Sequence, residues 1–469
     1  MRAIRRSRKL LRRSCRLDVW PAGTFNHRDM KFPAGSVMSR RAALRQGVAW
    51  GAGGWLGTVG CASGNGRERS PAPAAELSGR DLALLEELER TATTFFREAA
   101  HPETGLVMDR KRADGEPDAR TIGSIAATGF GLSVLCLAHE RNYAPRTELK
   151  AQVVRTLCWL HDRQVHEHGF FFHFFHFGTG ERIWKCELSS VDSALLFCGA
   201  LHARTYFADD AEIRRLATGL FERAEWPWFL NGKQTLSMGW KPESGFLEAH
   251  WDHYCELMLI NLLGLGSPTH PLAPETWRAW RRPVREFGGE RFVWSPAPLF
   301  VHQFSHAWFD FRNRPDAGTD WFANSVSATR AHVQWSLAQR SRFPQWSEDL
   351  WGVTSSDSAQ GYVGWGGPPD SGPLDGTVVP CAAAGSLPFL PAACLRTLRH
   401  QREVHGERVW KRYGFVDAWN PHSGWVNPDV IGIDVGITAL MAANLRDGFV
   451  WRTMGSDPAV RRGLARAGM

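Results

Sequence analysis

Paired cysteines, sequence repeats and a strand–helix alternation are all missing from this chain of 469 residues, and each absence narrows what the protein can be. Its 9 Cys include no Cys-x-x-Cys pair. Beyond Cys61 an odd set remains (Cys136, Cys158, Cys186, Cys198, Cys255, Cys381 and Cys394), several of them in apolar helical runs, so they read as small buried hydrophobes and not as a disulfide framework or a metal site. Without a short repeat a solenoid is disfavoured. Without alternating strands and helices so is a parallel sheet. The net charge of +8 does not describe a basic domain: the first 69 residues hold 15 Lys and Arg against 3 Asp and Glu, which leaves 41 basic and 45 acidic residues for the rest. A nucleic-acid binder needs its basic face on the folded domain, so no nucleic-acid partner is expected. No metal and no cofactor are expected either.

Tyrosine is also scarce, and here the contrast is informative. The chain has 5 Tyr beside 22 Trp. Trp offers a wide, stiff apolar plane with a polar edge, the surface on which sugar rings stack, although any single Trp serves as well to fill a core.

The basic leader has a pattern of its own. Ser39-Arg40-Arg41-Ala42-Ala43-Leu44-Arg45 resembles a twin-arginine export signal, and the small and apolar residues from Gly47 to Gly60 follow it. That stretch is too short and too rich in Gly for a comfortable membrane span. Thr58-Val59-Gly60-Cys61 is an imperfect lipobox, which makes Cys61 a candidate for lipid attachment, and Met38 is a plausible start. The expected organisation is an upstream extension and signal over 1–61, a flexible tether over 62–77 and one catalytic domain over 78–469. The expected protein is exported, periplasmic or membrane-anchored, and monomeric.

Beyond the tether, apolar periodicity predicts helices over 79–99, 123–141, 147–165, 189–207, 209–225, 251–265, 300–312, 319–340, 377–387, 391–404, 433–446 and 456–466. Ile125 to Ala138, Tyr254 to Leu265 and Ile433 to Leu445 are apolar nearly all round, so those helices must be buried on every side. A double ring, with apolar inner helices and amphipathic outer ones, accommodates this pattern, and the expected fold is all-α, an (α/α)6 toroid. One strand signal stands out, His168 to Phe177, read as a hairpin arm beside the cleft.

Carboxylates isolated among apolar residues carry the chemical signal, because burying an unpartnered charge is costly and raises the pKa of an acid. Glu256 stands between Tyr254-Cys255 and Leu257-Met258-Leu259-Ile260 and suits the acid that protonates a leaving glycosidic oxygen. Glu187 and Asp192 lie where a loop enters an apolar helix, and Ser189-x-x-Asp192 also fits a capping box. Glu348 and Asp349 sit between Trp346 and Trp351, and Asp434 stands at the mouth of the last apolar helix. Candidate sugar-binding residues are Trp184, Trp240, Glu243, Trp251, Trp351 and Trp365, together with His306, Trp308, Asp310 and Arg312 from a segment in which polar and apolar residues alternate.

That segment, Phe300-Val301-His302-Gln303-Phe304-Ser305-His306-Ala307-Trp308-Phe309-Asp310-Phe311-Arg312, with Asn324-Ser325-Val326-Ser327-Ala328-Thr329-Arg330-Ala331 after it, resembles the glycoamylase-like domain of bacterial endo-β-1,2-glucanases and cyclic β-1,2-glucan synthases. Ser267-Pro268-Thr269-His270-Pro271, Glu348-Asp349-Leu350-Trp351-Gly352 and Asp375-Gly376-Thr377-Val378-Val379-Pro380 are similar to the same pattern. The resemblance implies an (α/α)6 toroid and a β-1,2-glucan substrate, with Glu256 matching the acid position and Glu187 and Glu348 matching acidic cleft positions. Three functions fit: an endo-acting hydrolase, a transglycosylase on the same glucan, and a non-catalytic glycan-binding lipoprotein.

Overall fold

In the computed structural model the described residues are 77–296, 298–316, 318–369 and 372–469. The twin-arginine motif, Cys61 and all of the tether except its last residue lie outside them.

In chain order the helices of the ring are α1 (Gly79–Glu98), α2 (Ile125–Arg141), α3 (Arg146–Asp162), α4 (Ser190–Tyr206), α5 (Ala211–Glu222), α6 (Leu257–Gly266), α7 (Phe304–Trp308), α8 (Trp321–Ala338), α9 (Pro380–Ala384), α10 (Pro391–Val404), α11 (Gly432–Arg446), α12 (Phe449–Ser456) and α13 (Pro458–Ala467). They form the (α/α)6 toroid. Helices α2, α4, α6, α7, α9 and α11 make the inner ring. Every residue of α6 is buried, as are the first fourteen of α2 and of α4, so these helices have no solvent face to keep polar. Outer helices keep one: α1 buries Leu84, Leu85, Leu88, Phe95 and Phe96 while presenting Arg80, Glu86 and Arg90 to solvent. Two glycines let α2 and α4 touch backbone to backbone, because a Cβ on Gly199 would fall 2.0 Å from the Gly129 carbonyl oxygen.

Some boundaries differ from the periodicity. The run over 251–265 becomes helical only at Leu257, since backbone bridges from His250 to Ser237 and from His253 to Arg281 hold the preceding residues out of the helix. The run over 300–312 breaks into a 3₁₀ turn, Leu299–His302, and the short α7. His168 to Phe177 is not one hairpin arm. Phe170–Phe171 pairs with His166–Glu167, whereas Phe174–His176 pairs with Ile122–Ser124 far back in the chain. The described residues hold several such small antiparallel sheets, more strand than the single expected hairpin.

Candidate active site

These small sheets join the N-terminal ends of inner helices. Arg110–Arg112 pairs with Asp429–Ile431, the residues that lead into α11, and the Gly432 N–H donates to the Asp109 carbonyl at 2.8 Å. Met108 bridges Gly123, and Ile122–Ser124 leads into α2 while pairing with Phe174–His176. The Ile125 N–H then donates to the His173 carbonyl at 3.2 Å, and the His173 N–H to the Glu187 carbonyl at 3.0 Å. Leu188–Ser189 leads into α4 and pairs with Gly239–Lys241. One hydrogen-bonded band therefore runs across the starts of α11, α2 and α4. A side-chain bond extends it to α6: the Trp251 indole N–H donates to Ser190 Oγ at 2.8 Å, next to the segment that ends in Glu256.

Buried carboxylates are concentrated on this band. Glu187 Oε1 lies 3.1 Å from His173 Nδ1, and Asp192 Oδ1 lies 3.6 Å from His173 Nε2, so one imidazole stands between two acids. Asp192 is also tied to its helix cap, with its own N–H donating to Ser189 Oγ at 3.1 Å and its carboxylate bonded to the same hydroxyl. Glu256 is 1% exposed and occupies the N-cap position of α6, not the helix interior. Beside it Tyr254 is fully buried, its ring stacked on Trp321 at 5.4 Å and 5.0 Å from His302.

Asp434 falls in the first turn of α11 and is hydrogen-bonded to a carboxyl group that the helical periodicity passes over, Asp417. Asp417 Oδ2 accepts from the Asp357 N–H at 2.9 Å and from Asn427 Nδ2 at 3.1 Å, and the same amide reaches Asp357 Oδ2 at 3.2 Å. Arg110 closes the group, donating to Asp357 at 2.6 Å and to Asp109 at 3.1 Å. Burial, reinforced by the negative charges of Asp434 and Asp357, pushes the Asp417 carboxyl well above its ordinary range. Asp417 did carry a signal: in Phe415-Val416-Asp417-Ala418-Trp419 it is a lone acid among apolar residues, as Glu256 is, but in a strand-like setting.

At the rim the loop 178–187 carries Trp184, 51% exposed, with φ of 54° there and 47° at Lys185, conformations that cost a non-glycine residue energy. The Trp184 ring meets Phe174 edge to face at 5.4 Å. Arg182 fastens this loop to the neighbouring hairpin through two bonds to Glu243, at 2.6 and 3.0 Å. Half-buried Trp240 lies on that hairpin, paired across the sheet with Leu188.

Other candidates lie elsewhere. Glu348 and Asp349 are solvent-exposed and pair with Arg396 on outer helix α10, at 3.3 and 3.5 Å, forming an ion cluster at the surface. Asp310 and Arg312 form their own ion pair at 2.8 Å beyond the C-terminal end of α7, with the guanidinium over Trp451. Trp308 is core, its indole donating to Ser133 Oγ inside α2 at 2.9 Å. Trp351 is buried with Leu84, Leu85 and Leu398 against the outer ring, and buried Trp365 donates to Ser356 Oγ at 2.8 Å. His306 is bonded to Ser325 Oγ at 3.0 Å, and burial lowers its pKa to about 3. His302 stands four residues before it, a spacing that zinc sites use, yet no group of three candidate ligands occurs among the described residues.

Residues 248–458 match the glycoamylase family model, described as "Putative glucoamylase". An exo-β-1,2-glucooligosaccharide sophorohydrolase (non-reducing end) of Parabacteroides distasonis is 25% identical over 427 residues, which is 82% of this chain and 58% of that protein. The chain thus spans little more than half the length of that relative. A crystal structure from Bacteroides uniformis, carrying the same description as the family, superposes with a TM-score of 0.78 at 28% identity, over 84% of this chain and 98% of the other. The endo-β-1,2-glucanase of Chitinophaga pinensis, solved with sophorotriose and glucose, superposes with a TM-score of 0.77 at 23% identity, over 82% and 98%.

Proposed function

We propose that this chain, whose residues 248–458 match the glycoamylase family model, is a glycoside hydrolase that cleaves β-1,2-linked glucan. The observation that carries the reading is the placement of buried acids at the starts of inner helices: Glu187 before α4, Glu256 before α6 and Asp434 in α11. Glycosidic cleavage needs two carboxyl groups in opposite protonation states. Glu256 gives its proton to the leaving oxygen. Asp434, whose negative charge is favoured by the N-terminus of α11, takes a proton from the water whose oxygen bonds to the anomeric carbon. Glu187, hydrogen-bonded to His173, binds sugar hydroxyls.

Internal cleavage is part of the proposal. Trp184, exposed on the loop that ends in Glu187, would hold glucose units beyond the bond being cut, as an endo-acting enzyme requires. Incubation with linear β-1,2-glucan tests both points at once. A ladder of mixed oligosaccharides at early times supports endo cleavage, disaccharide alone indicates exo cleavage, longer chains reveal a transglycosylase, and unchanged glucan refutes the hydrolase reading. Export through the twin-arginine route, with Cys61 as the first mature residue, is proposed on the leader sequence; unimpaired export after replacement of Arg40 and Arg41 by Lys would refute it.

A further inference from the structure

Asp417 and Asp434 line the same small cavity with their carboxyl groups in hydrogen-bonding contact, and two such groups need one proton between them. The surroundings decide which of them holds it. Asp417 sits on the loop between Phe415 and Trp419, 4% exposed, and its Oδ2 is engaged by two donors, the Asp357 N–H and Asn427 Nδ2. That leaves Oδ1 to carry the proton toward Asp434. Asp434 by contrast stands in the first turn of α11, where the helix dipole favours the ionised form. We propose that Asp417 is a positioning residue of the site: a neutral carboxylic acid that donates to the Asp434 carboxylate, fixes its direction and keeps it ionised. The inference rests on the reading of Asp434 as the water-activating base.

The groups facing Asp417 agree with a neutral acid. Asp434 from α11 and Asp357 from the strand Ser355–Ser358 are both acidic, and the cation of the cluster, Arg110, spends its bonds on Asp357 and Asp109. A second full negative charge at Asp417 would have no cation to meet it within this cluster, and burial adds to the cost. A donor aimed at a base lowers its basicity, so the arrangement holds Asp434 unprotonated as the pH falls, where an isolated buried carboxylate would take up a proton.

Two substitutions and two measurements test this. Asp417→Asn keeps the shape, still offers an N–H to Asp434 and still accepts from Asp357 and Asn427. It should retain kcat on linear β-1,2-glucan within about threefold. Asp417→Ala removes the donor: kcat should fall on the order of 10²-fold with KM little changed, and the acidic limb of the kcat profile should move to higher pH. A role in packing alone would lower activity without moving that limb. Equal damage in the two variants, or an unmoved limb in Asp417→Ala, overturns the proposal. The second measurement needs no activity. A carboxyl group whose pKa is raised by folding stabilises the protein fully below its unfolded pKa and loses that contribution as the pH rises toward the folded one. Asp417→Asn has no such titration, so its melting temperature relative to wild type should climb from pH 4 to pH 8; a flat difference overturns the neutral-acid assignment even if Asp417→Ala does not fold. Should Asp434→Asn keep wild-type turnover, the base reading fails instead, and the melting series still reports on the shared proton.

Discussion

Trp251 donates its indole N–H to Ser190 Oγ at 2.8 Å and so joins the segment that ends in Glu256 to the first residue of α4. Ser190 in turn donates to the carbonyls of Ser237 and Met238 at 2.9 and 3.1 Å, which anchors the contact in the adjoining loop. Glu256 is the N-cap residue of α6, its carbonyl accepting from the Leu259 N–H at 3.2 Å, so the segment before it sets where its side chain starts. Trp251→Phe keeps most of the volume but removes the donor. The expected result is a loss of about 1–3 kcal/mol in stability, read by denaturant melting, with a fall in kcat larger than any rise in KM. Unchanged turnover would separate Trp251 from the positioning of the acid.

Glu256→Gln preserves shape and removes the transferable proton. Loss of general acid catalysis costs on the order of 10²–10⁴-fold, so the variant should fold, bind glucan and turn over slowly in that range. A glucoside with a leaving group that needs no protonation should be affected far less. Equal slowing of both substrates would assign Glu256 to structure.

The ring itself was legible because it is written in periodicity: α2, α6 and α11 are apolar on all sides, and only an inner position accounts for that. The helix start at Leu257 was not, since the strand bridges at His250 and His253 depend on partners that the local pattern cannot reveal. The acids divide the same way. Glu187, Glu256 and Asp434 are lone carboxylates beside apolar helices, and the criterion of costly burial found them. Asp417 meets that criterion but lies in a strand-like loop, where a search along helices does not reach. Glu348 and Asp349 failed it, having exposed side chains and an outer-helix arginine as partner, and the flanking Trp346 and Trp351 proved to be core. Aromatic neighbours in sequence say little about which face of a loop is wet.

Acid should destabilise this fold through its buried histidines. His202, His302, His306 and His332 are each held down to about 3 by burial. The unfolded chain therefore binds more protons than the folded one over this interval, so stability present above about pH 6.5 is lost as the pH falls toward 3. His202 is the cleanest probe, because desolvation alone shifts it and, among the described residues, its ring meets one aromatic neighbour, Phe449. The melting temperature of His202→Met relative to wild type should improve steadily from pH 7 to pH 4.5. A pH-independent difference would mean that His202 takes up a proton as readily in the folded protein as in the unfolded chain.

Trp184 offers the sharpest test of how the glucan is held. Its backbone and that of Lys185 both take left-handed conformations, and structures keep such strain where the surroundings or a function require it. The Arg182–Glu243 bonds fasten the loop near its middle, two residues before Trp184, so the exposed indole is presented by a braced support and not by a free strand of chain. Stacking on an aromatic plane is worth roughly 0.5–1.5 kcal/mol, so Trp184→Ala should raise KM for long β-1,2-glucan about three- to tenfold while leaving kcat within about twofold. Short oligosaccharides that do not reach the rim should be cleaved as by wild type, and the early product ladder should shift toward smaller fragments. Trp184→Phe, which keeps an apolar plane, should recover most of the affinity. Loss of kcat on short and long substrates alike would instead mean that Trp184 supports Phe174 and the band of strands behind it, and the stacking role would be abandoned.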